Sequence, residues 1–96
     1  MDTGASGNPP LERDEIRETV QAVIESIAPG VDLRRIRADR PLREQIDLDS
    51  MDWLNVILGL QEKFGMPIPE ADYGKVTNLD GIVAYLGAGL ARRAGG

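Results

Sequence analysis

The sequence predicts an all-α fold: a four-helix bundle with a long loop between helices 1 and 2 and a short third helix. Apolar residues recur at helical spacing in three segments, and no segment alternates apolar and polar residues as a half-exposed strand does. Because 42% of the residues are hydrophobic and only 4% aromatic, the core must be mostly aliphatic, which suits packed helices. A chain of 96 residues has room for one domain.

The N-terminal half is predicted to hold a tail, one helix and a long connection. Residues 1–10, "MDTGASGNPP", have almost no large apolar side chains and are predicted to form a flexible tail. A first helix is predicted over about residues 12–28, with acidic residues near its start and a Pro-Gly pair after its end. Its apolar face consists of Ile16, Val20, Val23, Ile24 and Ile27. Scattered apolar residues should hold the connection 29–49 against the helices, with room for a bridging turn of helix.

The second and third helices are predicted on either side of a segment that contains glycine and proline. The second helix begins at Asp49 or Ser50 and ends near Phe64, where Gly65 and two prolines follow. Residues 70–76, "EADYGKV", predict a short third helix of one to two turns.

The fourth helix is predicted to complete the bundle. Thr77 is its predicted N-cap, with Asp80 at the third helical position. The apolar face consists of Leu79, Ile82, Val83, Leu86 and Leu90. These elements make residues 11–90 the predicted domain, and residues 91–96 are predicted to be a frayed C-terminal tail.

The composition excludes several classes of function. The chain has no cysteine and no histidine, so disulfides, Cys/His zinc sites and Ser-His catalytic pairs are excluded. A formal net charge of −5 argues against a nucleic-acid partner, which needs a basic surface. The first ten residues lack the features of a signal peptide, and no apolar run approaches the roughly 20 residues of a membrane span. We therefore expect a soluble cytoplasmic protein.

Ser50 lies between acidic residues, directly before a nearly continuous apolar run, in "IDLDSMDWLNVILGL". The simplest interpretation of the serine is a helix cap, although Asp49, three residues before Asp52, can also form a weak capping pair with the first turn. A nucleophilic serine would need a base, but histidine is absent and the two lysines lie far along the chain. A metal site built from Asp47, Asp49 and Asp52 would lack the ligand spacing of an EF-hand loop. The residues therefore predict no catalytic group and no metal site.

The predicted second helix has two apolar faces on a helical wheel. One arc is an ordinary core stripe, formed by Trp53, Val56, Ile57, Leu60 and Phe64. Nearly opposite lie Met51, Leu54 and Leu58. The polar flank between the two arcs consists of Asp52, Asn55, Gly59, Glu62 and Lys63. The second stripe is either an exposed interaction surface or is buried under the long connection.

Three blocks in order resemble the acyl carrier and peptidyl carrier protein family. They are "DLDSMD" at 47–52, "LQEKFGMPIP" at 60–69 and "KVTNLDGIVAYL" at 75–86, and the resemblance covers about residues 12–90. It implies that a phosphopantetheinyl transferase attaches 4′-phosphopantetheine covalently to the hydroxyl of Ser50. The arm's thiol would then carry acyl or aminoacyl thioesters between acyl-loading and acyl-processing enzymes, and the protein itself would not be an enzyme.

The resemblance also implies roles for other residues. Asp49 matches an acidic residue that helps to arrange the magnesium and substrate of the transferase. The implied partner-recognition residues are Asp47, Asp49, Met51, Asp52, Leu54, Asn55, Leu58 and Glu62. The implied lining of an acyl pocket is Val56, Leu60, Ile68, Tyr73, Val76, Ile82 and Tyr85. Tyr73 and Ile82 are larger than the residues frequent at these positions, which argues against a deep pocket.

Departures from the family pattern indicate a specialised carrier, which we expect to be free-standing and monomeric. Residues 50–64 have only Asp52 and Glu62 against Lys63, whereas the family's second helix is usually strongly acidic. The connection 29–45 is even basic. Since charge complementarity governs which partners meet, we expect a dedicated partner set within fatty-acid, polyketide or related metabolism. The alternative is an unmodified helical interaction module in which Ser50 is only a cap.

Overall fold

The computed structural model describes residues 13–95 of the chain, and the predicted tail at 1–10 lies outside this part. The four predicted helices are all present in it, three as long α-helices and the short third one as a 3₁₀ helix. The elements in chain order are α1 (Arg13–Ile27), a 3₁₀ turn (Leu33–Arg35), the single turn α2 (Leu42–Gln45), α3 (Ser50–Phe64), the 3₁₀ helix (Glu70–Val76) and α4 (Leu79–Gly95). The all-α class is confirmed, and between residues 13 and 95 the only β-type pairing is an isolated bridge between Pro41 and Asn78.

A single aliphatic core holds these elements together. α1 packs against α3 and α4, and the 3₁₀ helix packs against α4. The three long helices bury mainly Ile16, Val20, Val23, Ile24, Val56, Ile57, Leu60, Phe64, Leu79, Ile82, Val83 and Leu86. Each fully buried side chain of this kind contributes about 1.5–3 kcal/mol relative to an exposed one. None of the side chains buried within residues 13–93 is polar or charged, so polar chemistry is confined to the surface.

Local capping explains where α3 begins and ends. Asp49 is the N-cap: its Oδ1 accepts a hydrogen bond from the backbone amide of Asp52 at 2.8 Å. The helix ends at Gly65, which has a φ of 63° in the left-handed region where glycine is the least strained residue. Ser50 is therefore the first helical residue, and the side chain that caps the helix belongs to its neighbour Asp49.

The long connection is ordered by apolar anchors and by two glutamines. Its buried anchors are Leu33, Leu42, Ile46 and Leu48. From α1, Gln21 donates to the carbonyl of Val31 at 2.6 Å and accepts from the Leu33 amide at 2.7 Å. Gln45 bonds both the amide and the carbonyl of Arg37, at 2.8 and 2.9 Å. The sequence allowed one bridging turn, and the structure has two: the 3₁₀ turn and α2.

The start of α4 differs from the prediction, because Thr77 is not its cap. The side chain of Asn78 accepts a hydrogen bond from the amide of Gly81 at 2.7 Å, which makes Asn78 the N-cap and Asp80 the second helical residue. Thr77 has φ −84° and ψ −25° at the end of the 3₁₀ helix, so it lacks the extended backbone of an N-cap.

At its other end α4 continues to Gly95, so residues 91–95 are helical where the sequence predicted a frayed tail. The limits of the domain at 11 and 90 stay a prediction. Of the helices within residues 13–95, none combines the length and the apolar character needed to cross a membrane.

Candidate functional site

Ser50 stands exposed at the N-terminus of α3, with a hydroxyl that takes no part in capping. Asp49 does the capping, and no group within residues 13–95 hydrogen-bonds to the hydroxyl of Ser50. Nor do the backbone amides of Ser50 and Met51 find an acceptor among these residues, as expected for the first turn of a helix. The interpretation of Ser50 as the helix cap is therefore wrong, and its oxygen is accessible to another molecule.

The hydroxyl of Ser50 is presented without an activating group. No base among residues 13–95 is hydrogen-bonded to it. In the same part of the chain, no three acidic side chains lie close enough together to hold a metal ion. The arrangement suits a serine that receives a group from a separate enzyme, because only accessibility and a favourable local field are then required of it.

Next to Ser50, the outer face of α3 carries three exposed apolar side chains, which we call the exposed stripe. Met51 is 66% exposed, Leu54 38% and Leu58 49%. They follow one another at helical spacing on a single face, opposite the buried core stripe. The connection does not cover them, since its apolar anchors turn into the core instead. Trp53, expected in the core stripe, is only partly buried against it.

The polar partner-recognition candidates surround this stripe. Asp47, Asp49, Asn55 and Glu62 are exposed, and Asp52 is half-buried. Leu58, Asn55 and Glu62 also line one side of a groove between α3 and α1. The other lining residues of this groove are Ala22, Val23, Ser26, Ile27, Gly59 and Lys63. All eight candidates thus lie at the start of α3 or along it, at least partly accessible.

The seven acyl-pocket candidates divide into a buried group and two tyrosines at the edge of the core. The buried ones are Val56, Leu60, Ile68, Val76 and Ile82. Tyr73 and Tyr85 are half-buried and pack against the same core cluster. A groove between α1 and α3 and another between α1 and the connection open on the surface, and none of the seven lines either of them.

Tyr85 has a polar contact that the sequence did not reveal. Its hydroxyl donates to Oδ2 of Asp72 at 2.6 Å, and Nζ of Lys75 lies 3.4 Å from Oδ1 of the same carboxylate. The hydrogen bond from Tyr85 lowers the pKa of Asp72 below its usual value, and the nearby Lys75 adds a smaller effect in the same direction. The hydrogen bond to Asp72 in turn raises the pKa of Tyr85. This contact ties the 3₁₀ helix to α4 through their side chains.

Ion pairs neutralise part of the positive charge that the arginines give the connection. Three of them form ion pairs with acidic residues of the same segment: Arg34 with Asp32 at 3.1 Å, Arg37 with Asp39 at 3.0 Å and Arg40 with Glu44 at 3.5 Å. Hydrogen bonds from the arginines lower the pKa values of Asp32 and Asp39. Arg35 and Arg43 have no carboxylate partner among residues 13–95. The segment therefore presents two unpaired cations.

Comparison with known proteins places this geometry in a family. A family model described as "Phosphopantetheine attachment site" matches residues 14–86. The chain is 32% identical to the acyl carrier protein of Rubrobacter xylanophilus over 76 residues, which cover 79% of this chain and 93% of that one. It is 29% identical to the acyl carrier protein of Campylobacter hominis over 73 residues, or 76% and 86% of the two chains.

A solved structure supports the fold. The solution structure of a protein assigned as an acyl carrier protein from Anaplasma phagocytophilum matches with a TM-score of 0.69. The match covers 90% of this chain and 96% of that one at 23% identity, so it bears on the fold alone. The assignment to a family rests on the family model and on the relative from Rubrobacter, which both span most of the chain. The chain therefore belongs to the acyl carrier protein family, whose members are not catalysts but carry acyl groups on a covalently attached 4′-phosphopantetheine.

Proposed function

We propose that Ser50 is the residue that bears the 4′-phosphopantetheine arm, and that the chain shuttles acyl or aminoacyl thioesters on it. The supporting observation is the free, exposed hydroxyl of Ser50 at the start of α3, inside the matched region. The other serine within residues 13–95 is Ser26, whose hydroxyl donates to the carbonyl of Val23 at 2.6 Å and is therefore engaged. Ser50 is the better acceptor for a group transferred from coenzyme A.

The start of α3 favours the phosphate electrostatically. The N-terminal end of a helix carries a partial positive charge, and the unpartnered amides of Ser50 and Met51 can donate to phosphate oxygens. In the transfer, the hydroxyl of Ser50 gives its proton to the transferase and its oxygen bonds to the phosphorus next to pantetheine, while the P–O bond of the coenzyme A pyrophosphate breaks and adenosine 3′,5′-bisphosphate leaves. Asp49 uses one carboxylate oxygen for the cap, and the other makes no hydrogen bond within residues 13–95. That second oxygen is available for the transferase and its magnesium.

The exposed stripe is the proposed docking surface for the partner enzymes. Met51 directly follows Ser50, so an enzyme that covers Met51, Leu54 and Leu58 meets the root of the arm. Exposed apolar clusters of this kind, rimmed by polar groups, mark interaction surfaces. The low charge of α3 supports a specialised carrier with dedicated partners, and we place it in the cytoplasm as a monomer.

The packing of the core affects which acyl groups the bundle can shelter. Five of the acyl-pocket candidates are fully integrated in the buried cluster, so a sheltered chain would have to displace them. Close-packed interiors resist such displacement. The bulk of Tyr73 and Ile82 and the anchored hydroxyl of Tyr85 add to the same effect. These observations favour a short cargo, or one held outside the bundle.

The proposal is tested by the mass of the intact protein after incubation with coenzyme A, magnesium and a broad-specificity phosphopantetheinyl transferase. We expect one phosphopantetheine on the wild type, mapped by peptide analysis to Ser50, and none on Ser50→Ala. Ser26→Ala is the matched control and should be modified like the wild type. Because Asp49 caps the helix, Ser50→Ala should remain folded. Addition to Ser50→Ala would assign the arm elsewhere, and no addition with several transferases would favour the unmodified interaction module.

A further inference from the structure

The guanidinium of Arg43 is held by a backbone carbonyl, unlike those of the ion-paired arginines of the connection. Its Nε donates to the backbone carbonyl of Leu48 at 3.3 Å, whereas Arg34, Arg37 and Arg40 each lie against a carboxylate. The Leu48 carbonyl occupies one of the five N–H donors of the guanidinium. The other four have no acceptor within residues 13–95. Arg43 is thus positioned by the protein while most of its donors remain free.

The backbone that carries Arg43 is also fixed. Arg43 lies on the single turn α2, directly after the buried Leu42. In the same turn, Gln45 is hydrogen-bonded to the amide and carbonyl of Arg37. A side chain whose Nε is already held by a hydrogen bond has less entropy to lose when it binds a ligand. This makes Arg43 a preorganised cation and not a freely moving surface charge.

This cation lies close to the proposed attachment point. Leu48 precedes Ser50 by two residues, and consecutive Cα atoms are about 3.8 Å apart, so the Cα atoms of the two residues are separated by at most about 7.6 Å. Arg43 and Ser50 are both exposed, so a phosphate on the hydroxyl of Ser50 would be accessible to solvent and to other side chains. A guanidinium fork is the side-chain group best matched to phosphate oxygens.

We propose that Arg43 binds the phosphodiester that joins the arm to Ser50. The inference rests on the proposed attachment at Ser50 and adds a positioning residue to it. The guanidinium neutralises the phosphate's single negative charge from the side of the connection, while the first turn of α3 faces it from the other side. The root of the arm is thereby held beside the exposed stripe, and the distal thiol remains free to reach a partner's active site.

A thermodynamic cycle isolates this contact from any structural role of Arg43. Urea unfolding is measured for the apo and holo forms of the wild type and of Arg43→Gln. We expect attachment of the arm to favour folding roughly two- to fivefold more in the wild type than in the variant, as for a partly exposed ion pair. Loss of the Leu48 hydrogen bond alone would change apo and holo forms equally. The difference should shrink at high salt.

Nuclear magnetic resonance gives a second readout that does not depend on stability. We expect the Nε–H signal of Arg43 in the wild type to shift when the apo protein becomes holo, and not when free coenzyme A is added to the apo protein. The phosphorus resonance of the holo protein should move in Arg43→Gln and less in Arg43→Lys, which keeps the charge but loses the fork. Arg35→Gln removes the other unpaired cation of the connection and should leave the resonance unchanged.

The outcomes separate this inference from the proposed function. If the arm is attached at Ser50 but the Arg43 signal and the phosphorus resonance do not respond, the role of Arg43 is refuted and the carrier function stands. If free coenzyme A shifts Arg43 as much as the attached arm does, Arg43 is a general anion contact and the inference also fails. If no arm can be attached, the assignment of Ser50 fails first, as the mass measurement would already show.

Discussion

Replacement of Asp49 separates its role in the fold from its role in modification. The carboxylate accepts the Asp52 amide at 2.8 Å, and this hydrogen bond satisfies one of the free amides in the first turn of α3. We expect Asp49→Ala to lower the free energy of unfolding of the apo protein by about 1 kcal/mol. For a domain of this size, that corresponds to a fall in melting temperature of roughly 4–8 °C.

Two variants are matched to Asp49→Ala. Asp49→Asn keeps an oxygen acceptor in the capping position and should unfold within about 0.5 kcal/mol of the wild type. Ser50→Ala changes a side chain that caps nothing and should likewise stay within about 0.5 kcal/mol. Both Asp49 variants lose the negative charge. If the transferase needs the carboxylate, both should be modified slowly, although only Asp49→Ala is destabilised.

The assays are urea unfolding followed by circular dichroism and the time course of phosphopantetheine addition followed by mass. A loss of about 1 kcal/mol in Ser50→Ala would refute the assignment of Asp49 as the cap, because the cost would then arise at the serine. Modification of Asp49→Asn at the wild-type rate would refute a role for the carboxylate in the transfer. Slow modification of Asp49→Ala alone would trace the effect to the fraying helix.

Further predictions concern two leucines of α3 and the hydrogen bond between Asp72 and Tyr85. Leu58→Ala, on the exposed stripe, should cost less than about 1 kcal/mol of stability yet weaken binding to a partner enzyme in a titration, whereas the fully buried Leu60→Ala should cost about 2–5 kcal/mol in urea unfolding. The lowered pKa of Asp72 means that its ionised form stabilises the fold above its ordinary pKa of 3.8, and that this contribution is lost as the pH falls through the lower folded value. Tyr85→Phe removes the hydrogen bond that is the largest cause of the lowered pKa of Asp72. Unfolding measured between neutral pH and about pH 3 should therefore show a smaller loss of stability at acid pH in this variant than in the wild type. An unchanged pH profile would contradict this.

The helices follow from local patterns and were largely predictable. Apolar residues at helical spacing predicted α1, α3 and α4, because an amphipathic helix must turn one face to the core whatever its neighbours are. Gly65 at the end of α3 was also predictable from its own backbone freedom. At the start of α4 the local pattern failed: Thr77 was predicted as the cap, but it ends the preceding 3₁₀ helix, and Asn78 caps α4 instead.

Contacts between distant residues could not be predicted in the same way. The sequence showed a basic connection, but not that Arg34, Arg37 and Arg40 would be paired and Arg43 left beside Leu48. The resemblance implied that Tyr85 lines an acyl pocket, but nothing in the sequence indicated its hydrogen bond to Asp72. Such contacts depend on side-chain directions and on distances of a few tenths of an ångström, which periodicity does not encode.

The two apolar faces of α3 and the lone serine before them are properties of the chain, because a helix sets its own angular spacing of side chains. Whether the second face is open depends on the path of the connection, whose anchors are buried in the core and leave Met51, Leu54 and Leu58 exposed. Whether the serine is free depends on which neighbouring oxygen captures the Asp52 amide, and that oxygen belongs to Asp49. The cap is a local contact between residues three apart, so the sequence already offered it. The open face instead results from competition for space in the tertiary structure, which decides which apolar side chains remain available to other molecules.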